Sequence, residues 1–294
     1  MNISRFRAIA RNRFNLYLGL VVKPFFGNRM ILLDYPVTSV PRWNYNSPHP
    51  QLYEIVNAGR RRYIGHLTSF LRFAESFVKI PAQKSPDASQ PNWANEWIPP
   101  LDAVALYSFL AIGQPKLFLE VGSGNSTKFA RRAIKDHGLT TKIISIDPRP
   151  RVEIDGLCDQ IVREPVENCK LDIFDRLESG DILYVDNSHR ALMNSDATVI
   201  FLDILPRLKP GVLVHFHDIA LPYDYPAEWK DRYYSEQYLL AAYLLARGSR
   251  FDVLLPNWFV TADYELKNIV LALWQRLGMQ MVEMQGGSFW IQMK

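Results

Sequence analysis

From Pro100 onward, short apolar runs alternate with stretches that read as helices. The runs are Leu117–Val121, Ile143–Ile146, Gln160–Val162, Ile182–Val185, Val212–Phe216 and Phe251–Leu255. The helical stretches between and after them include Ser126–His137, Asn194–Leu208 and Ser235–Arg247. Strands alternating with helices predict a parallel sheet covered on both faces. Pro100–Ile112 reads as a further helix, with Pro99 and Pro100 before its first turn and Asp102 near its N-terminus. Upstream, Pro50–Ile80 is also helical in pattern, with Leu67, Phe70, Leu71, Ala74 and Phe77 recurring at helical spacing. Residues 81–92, PAQKSPDASQPN, are dense in Pro, Ser and Gln and read as a linker. The pattern thus divides the chain into a largely helical N-terminal extension (1–80), a linker (81–92) and a body (93–294).

Composition narrows the class. With 294 residues, 48% hydrophobic and 22% charged, the chain is an ordinary globular protein, neither disordered nor fibrous. Two cysteines, Cys158 and Cys169, exclude a disulfide scaffold and a cysteine-rich zinc site, and a reducing, cytoplasmic setting is the simplest inference. Charge is uneven. Residues 1–80 carry twelve Lys/Arg and three acids, a net +9, which leaves −5 for the remainder. A basic head suggests an anionic partner. In residues 3–26 four arginines interleave with Phe6, Ile9 and Phe14, and the apolar stretch Leu16–Val22 follows. That stretch is short of the ~20 residues a spanning helix needs. Three readings stand: a basic amphipathic segment lying on the inner face of a membrane, a helix packed on the body with its Arg face in water, and an organelle presequence.

In a parallel sheet, ligands sit outside the carboxyl ends of the strands. The first run ends in EVGSGNST, where Gly122 and Gly124 make a tight strand-to-helix turn open to close approach. The second ends at Asp147, 23 residues after Gly124, placed to accept both hydroxyls of a ribose. The fourth ends in Asp186-Asn187-Ser188-His189-Arg190 and the fifth in His217-Asp218. Two carboxylates and two imidazoles therefore face one crevice, a set suited to divalent-metal binding or general-base chemistry. His215 shares a strand face with His217 and is the more buried candidate, with a structural role.

The stretch EVGSGNST, then SID, then DILYVDNSHRALMNSDATVIFLDILPRLKPGVLVHFHD resembles class I S-adenosylmethionine-dependent methyltransferases. The nearer likeness is to a subgroup with D-x-x-H after strand four and H-D or E-D after strand five, associated with O-methylation of sugars and small hydroxylated molecules in bacterial glycan and natural-product pathways. WIPPLDAVALY and YSEQYLLAAYLL add to it, and the resemblance spans residues 93–294. It implies a Rossmann-like seven-stranded sheet in the order 3-2-1-4-5-7-6, mostly parallel, with GGSFWIQMK as the antiparallel seventh strand. It implies that Glu120, Gly122, Gly124 and Asn125 line the amino-acid end of the cofactor, with Ser126 beside them. It assigns the ribose to Asp147 and the adenine to the loop of Glu164-Pro165-Val166-Glu167, with Val166 and Glu167 as cofactor contacts. It makes Asp186, His217 and Asp218 ligands of Mg²⁺ or another divalent metal, and His189 the base, with Asp186 in the catalytic pair. The departure is His217, where an acid would make a harder site; a second base or a hydrogen-bond partner are its other readings. Glu236 orients a substrate or caps its helix.

Methyl transfer to a hydroxyl needs the nucleophile held in line and its proton removed or polarised. A small-molecule or glycan acceptor follows, and an oligomer is compatible. The insertion from Pro256 to Gln285, with Trp258, Phe259 and Trp274, reads as a lid, an oligomer contact or core. An NAD-dependent Rossmann oxidoreductase shares the glycine turn but not the residues after strands four and five. A non-catalytic scaffold docking a membrane assembly would not need both Asp186 and His189. Nucleic acid is disfavoured as a partner: the body has no continuous basic stripe, and the D/N-P-P-Y/F motif is absent.

Overall fold

The computed structural model describes residues 17, 19, 21, 37–246, 250–276 and 283–294. Contacts divide the chain into Met1–Val40 and Pro41–Lys294. In the first unit Tyr17, Gly19 and Val21 are helical; the rest of the basic 3–26 segment, and with it the membrane-surface reading, lies outside the described residues. Among the described residues no helix is long and apolar enough to cross a membrane.

Among its described residues the second unit holds seven strands: β1 (Leu117–Val121), β2 (Lys142–Ile146), β3 (Gln160–Val162), β4 (Ile182–Val185), β5 (Leu213–Phe216), β6 (Phe251–Pro256) and β7 (Phe289–Met293). Their order is 3-2-1-4-5-7-6. Neighbours from β3 to β5 are parallel, and β7 runs antiparallel to both β5 and β6. This is the Rossmann-like arrangement that the resemblance implied. Around the sheet lie α1 (Pro50–Asn57), α2 (Arg60–Phe70), α3 (Ala74–Val78), α4 (Pro100–Gly113), α5 (Asn125–Asp136), α6 (Asp196–Val199), α7 (Glu236–Leu245), α8 (Asn257–Ala262) and α9 (Tyr264–Arg276).

Two elements differ from their sequence pattern. The Pro50–Ile80 stretch breaks between α1 and α2 at Gly59. A Cβ there would lie 2.4 Å from the Tyr63 hydroxyl, which donates to the Val56 carbonyl at 2.6 Å, so the tyrosine takes the space a side chain would need. Asn194–Leu208 is not one α-helix. It runs as α6, a π segment (Ile200–Ile204) and a 3-10 turn (Leu205–Arg207), because Pro206 has no N–H with which to continue the ladder.

The helices upstream of residue 81 share the core of the sheet. Tyr63, Leu67, Phe70 and Phe77 are fully buried, and the Phe77 ring packs on Trp93 and Tyr107. The described compact unit therefore begins at Pro41, ahead of the 81–92 segment. Helix α4 is apolar almost all round and buried from Pro100 to Ala111, as such a helix must be. Asp102, inside it, is the charged exception. Phe259 and Trp274 are core residues, whereas Trp258 is half-buried and donates through Nε1 to the Tyr45 hydroxyl at 2.9 Å.

Candidate active site

The parallel ladder continues one residue past four strands. Gly122 N donates to Ile146 O (3.0 Å), Asp147 N to Val162 O (3.1 Å), Asp186 N to Val121 O (2.8 Å) and His217 N to Val185 O (2.9 Å). This row fixes the first residue after β1, β2, β4 and β5 along one edge of the sheet.

At the β1 end, Gly122 has φ +80°, and a Cβ would lie 1.7 Å from the Asp186 carbonyl oxygen. Only glycine allows the β1 and β4 ends to approach so closely. Asp147 shapes the turn from the side: its two carboxylate oxygens accept from Ser123 N (2.8 Å) and Arg149 N (2.7 Å). Glu120 is fully buried and accepts from the Ser126 and Thr127 hydroxyls. Burial pushes its carboxyl up to about 8, against the pull of those hydrogen bonds. Gly124 and Asn125 line the crevice beside the turn, where the Arg151 guanidinium stacks 4.2 Å over the Trp97 ring. Val166 is buried in the core and Glu167 is half-buried; neither lines this crevice.

At the β4 and β5 ends the chemistry is denser. His189 Nε2 lies 3.3 Å from Asp186 Oδ1 and 3.7 Å from Asp218 Oδ2. His217 Nδ1 lies 3.7 Å from Asp186 Oδ1 and 3.4 Å from Asp218 Oδ1. Each imidazole has a buried carboxylate at its other nitrogen. Glu236 Oε2 is 2.9 Å from His189 Nδ1, and Asn187 Nδ2 donates to the second Glu236 oxygen at 2.8 Å. Asp102 Oδ2 is 3.6 Å from His217 Nε2, too long for a hydrogen bond. Asp102 itself accepts from Asn257 Nδ2 (2.7 Å), Gly287 N (2.7 Å) and Ser288 N (3.0 Å), which ties α4 to the residues entering β7. His189 and Asp218 both have left-handed backbones, φ +59° and +53°, a strain that clusters at functional sites.

The charges agree with this geometry. Burial opposes protonation of both imidazoles, but Asp186 and Glu236 raise His189 well above its usual value. Asp186, Asp218 and Asp102 raise His217 in the same way. Burial works against Asp186 too, yet His217 and His189 hold it well below the usual carboxylate range. Burial raises Asp102 and Glu236. His215, flat against Tyr184 at 3.6 Å and bonded through Nε2 to Ser288 Oγ at 2.6 Å, is driven well below its usual value and stays neutral in the core.

One ligand atom each from Asp186, His189 and His217 lies within 4.8 Å of the others. Two imidazole nitrogens and a carboxylate, each imidazole backed by an acid, fit a divalent cation. The donor mix favours a borderline transition metal over Mg²⁺. Asp218 borders the same space, so all four predicted residues meet there. Two partnerships were not read from sequence: Glu236, expected to orient a substrate or cap its helix, bonds His189, and Asp102, read only as an acid near a helix start, stands behind His217. Each begins a helix next to a buried apolar run, and that position was the only signal available.

A cavity of about 510 Å³ opens over this cluster and reaches Trp97 and Arg151 beside the glycine turn. A larger chamber of about 870 Å³ adjoins it at Pro99, Asp218, Trp229 and Gln285.

No curated protein matches the chain. Among solved structures, it is similar to the SAH-bound methyltransferase PaMTH1 of Podospora anserina (17% identity over 78% of this chain and 88% of that one, TM-score 0.42). It is also similar to the O-methyltransferase TomG of Streptomyces achromogenes (17%, 58% and 82%, TM-score 0.37) and to an O-methyltransferase of Bacillus cereus (16%, 64% and 82%, TM-score 0.35). Residues 119–219, from β1 through the turn after β5, match the family model of a methyltransferase domain.

Proposed function

We propose that the protein transfers a methyl group from S-adenosylmethionine to a hydroxyl of a sugar, glycan or small metabolite. The observation that carries this is the His189 ring: Glu236 holds its Nδ1 at 2.9 Å, and its Nε2 faces Asp186 on the wall of a cavity that shares Trp97, Arg151 and Asp186 with the crevice at the glycine turn. The cofactor would lie along Gly122–Ser126, with Asp147 toward its ribose; bound there, it supplies an electrophilic methyl. Asp186 orients the acceptor hydroxyl, and His189 takes its proton at Nε2. Glu236 stabilises the imidazolium that results. A divalent cation at Asp186 and His217, with Asp218 taking the place of His189 as the third ligand, would polarise the hydroxyl and leave His189 neutral to act as the base.

Calorimetric titration with S-adenosylmethionine and with NAD, on the wild type and on Asp147→Asn, tests the reading. Asparagine keeps one accepting oxygen for the turn but removes the charge. Adenosylmethionine binding weakened about tenfold or more in the variant is expected, in line with a lost charged hydrogen bond. Binding of NAD instead, or of neither, overturns the assignment.

A further inference from the structure

The 870 Å³ chamber is larger than one sugar ring or one phenol needs, and its lining is particular. Six aromatic side chains face it: Trp43, Tyr45, Tyr223, Tyr225, Trp229 and Trp258. Trp229 and Trp258 meet nearly at a right angle (87°, ring centroids 5.8 Å apart), and Trp258 is pinned to Tyr45 by its indole N–H. That makes a rigid corner with two aromatic faces. The charged lining is Asp218, Asp224, Glu228 and Glu283 against Lys267, and no arginine among the described residues lines the chamber. Asp224 is occupied by the backbone of Arg42 and Trp43 and by the Tyr238 hydroxyl. Glu228 and Glu283 are exposed. Trp229 already binds a cation of the chain itself: the Arg232 guanidinium lies 4.3 Å over its ring.

Aromatic faces bordered by carboxylates attract cations, whereas phosphate recognition calls on arginine and helix N-termini. We propose that this chamber holds the distal part of the acceptor, and that this part is a ring-bearing group with a protonated amine. The inference rests on the methyltransferase reading of the adjoining site. The reacting hydroxyl would lie at Asp186 and His189, and the rest of the acceptor would pass Asp218 and Trp229 into the chamber. The same lining, with Lys267 its single cation, favours such an acceptor over a phosphorylated one.

The test uses the full chain and two trisaccharides at pH 6: chitosan trisaccharide, with protonated amines, and its neutral N-acetylated counterpart. Adenosylmethionine binding is titrated separately on the same protein, so failure of the cofactor assignment is distinguishable from failure of the chamber assignment. The cationic trisaccharide is expected to bind about tenfold tighter than the neutral one. In the Glu228→Gln/Glu283→Gln double variant that preference should fall at least about threefold, with adenosylmethionine affinity unchanged. Equal affinities, no binding of the cationic trisaccharide by protein that binds adenosylmethionine, or a preference untouched by the double variant would overturn the proposal.

Discussion

The two halves of the sheet edge are built on different principles. At β1 and β2 the acids are satisfied close by: Asp147 by the backbone N–H groups of Ser123 and Arg149, Glu120 by the hydroxyls of Ser126 and Thr127. At β4 and β5 they are satisfied at long range. Asp186 and Asp218 face imidazoles, and those imidazoles lean on Glu236 from α7 and Asp102 from α4. The first half is a shaped backbone that tolerates almost no change of form. The second is a set of coupled charges that tolerates almost no change of charge.

The comparison breaks first, and most severely, at Gly122. Gly122→Ala puts a methyl group 1.7 Å from a backbone carbonyl at a φ of +80°. Chemical denaturation should show a loss of more than ~3 kcal/mol, or no folded protein. A loss under ~1 kcal/mol would mean the β1 and β4 ends are not locked together as described.

The next effect falls on the charged half. Glu236→Gln keeps the side chain's shape and its Asn187 contact but removes the charge behind His189. Methyl transfer should fall by roughly 100-fold with folding retained, the scale of a lost general base. Unchanged turnover once an acceptor is known would remove His189 from the chemistry.

The effect that is smallest per step concerns pH and sharpens the contrast. The Glu120 carboxyl is raised to about 8 in the folded chain, so folding favours its neutral form. The penalty is absent below the unfolded value near ~4.5 and grows as pH rises toward about 8. Over that window the wild type should lose on the order of 1 kcal/mol per pH unit relative to Glu120→Gln. Parallel pH profiles of the two proteins would show that Glu120 is charged in the fold. His189 works with the opposite sign: its raised value stabilises the fold below ~6.5, and that contribution is lost as pH rises through the folded value.

Much of this was legible in the chain. β1, β3 and β4 match their runs residue for residue; β1 and β4 are buried along their whole length, as strands covered on both faces are, while β3 is a partly exposed edge strand. Asp147, Asp186, His189, His217 and Asp218 were found by looking one step past each run. The places of Asp102 and Glu236 behind the imidazoles were not. Both begin helices, where an acid is expected simply as a helix-terminal charge, and only the packing of α4 and α7 against the strand ends turns those carboxylates inward. The π segment after α6 was hidden for a related reason: apolar spacing reports a helical face but not its hydrogen-bond pattern.

The tie between Asp102 and Gly287 spans 185 residues. A ribosome adding ~5–20 residues per second delivers the second partner about 10–40 s after the first. For that interval α4 carries a carboxylate with no backbone donors from the β7 approach, and His217 has no settled neighbour behind it. The glycine turn and Asp147 are already synthesised by then. A nascent chain therefore has the glycine turn well before the carboxylate–imidazole cluster at the β4 and β5 ends, and that cluster is completed only as β7 arrives.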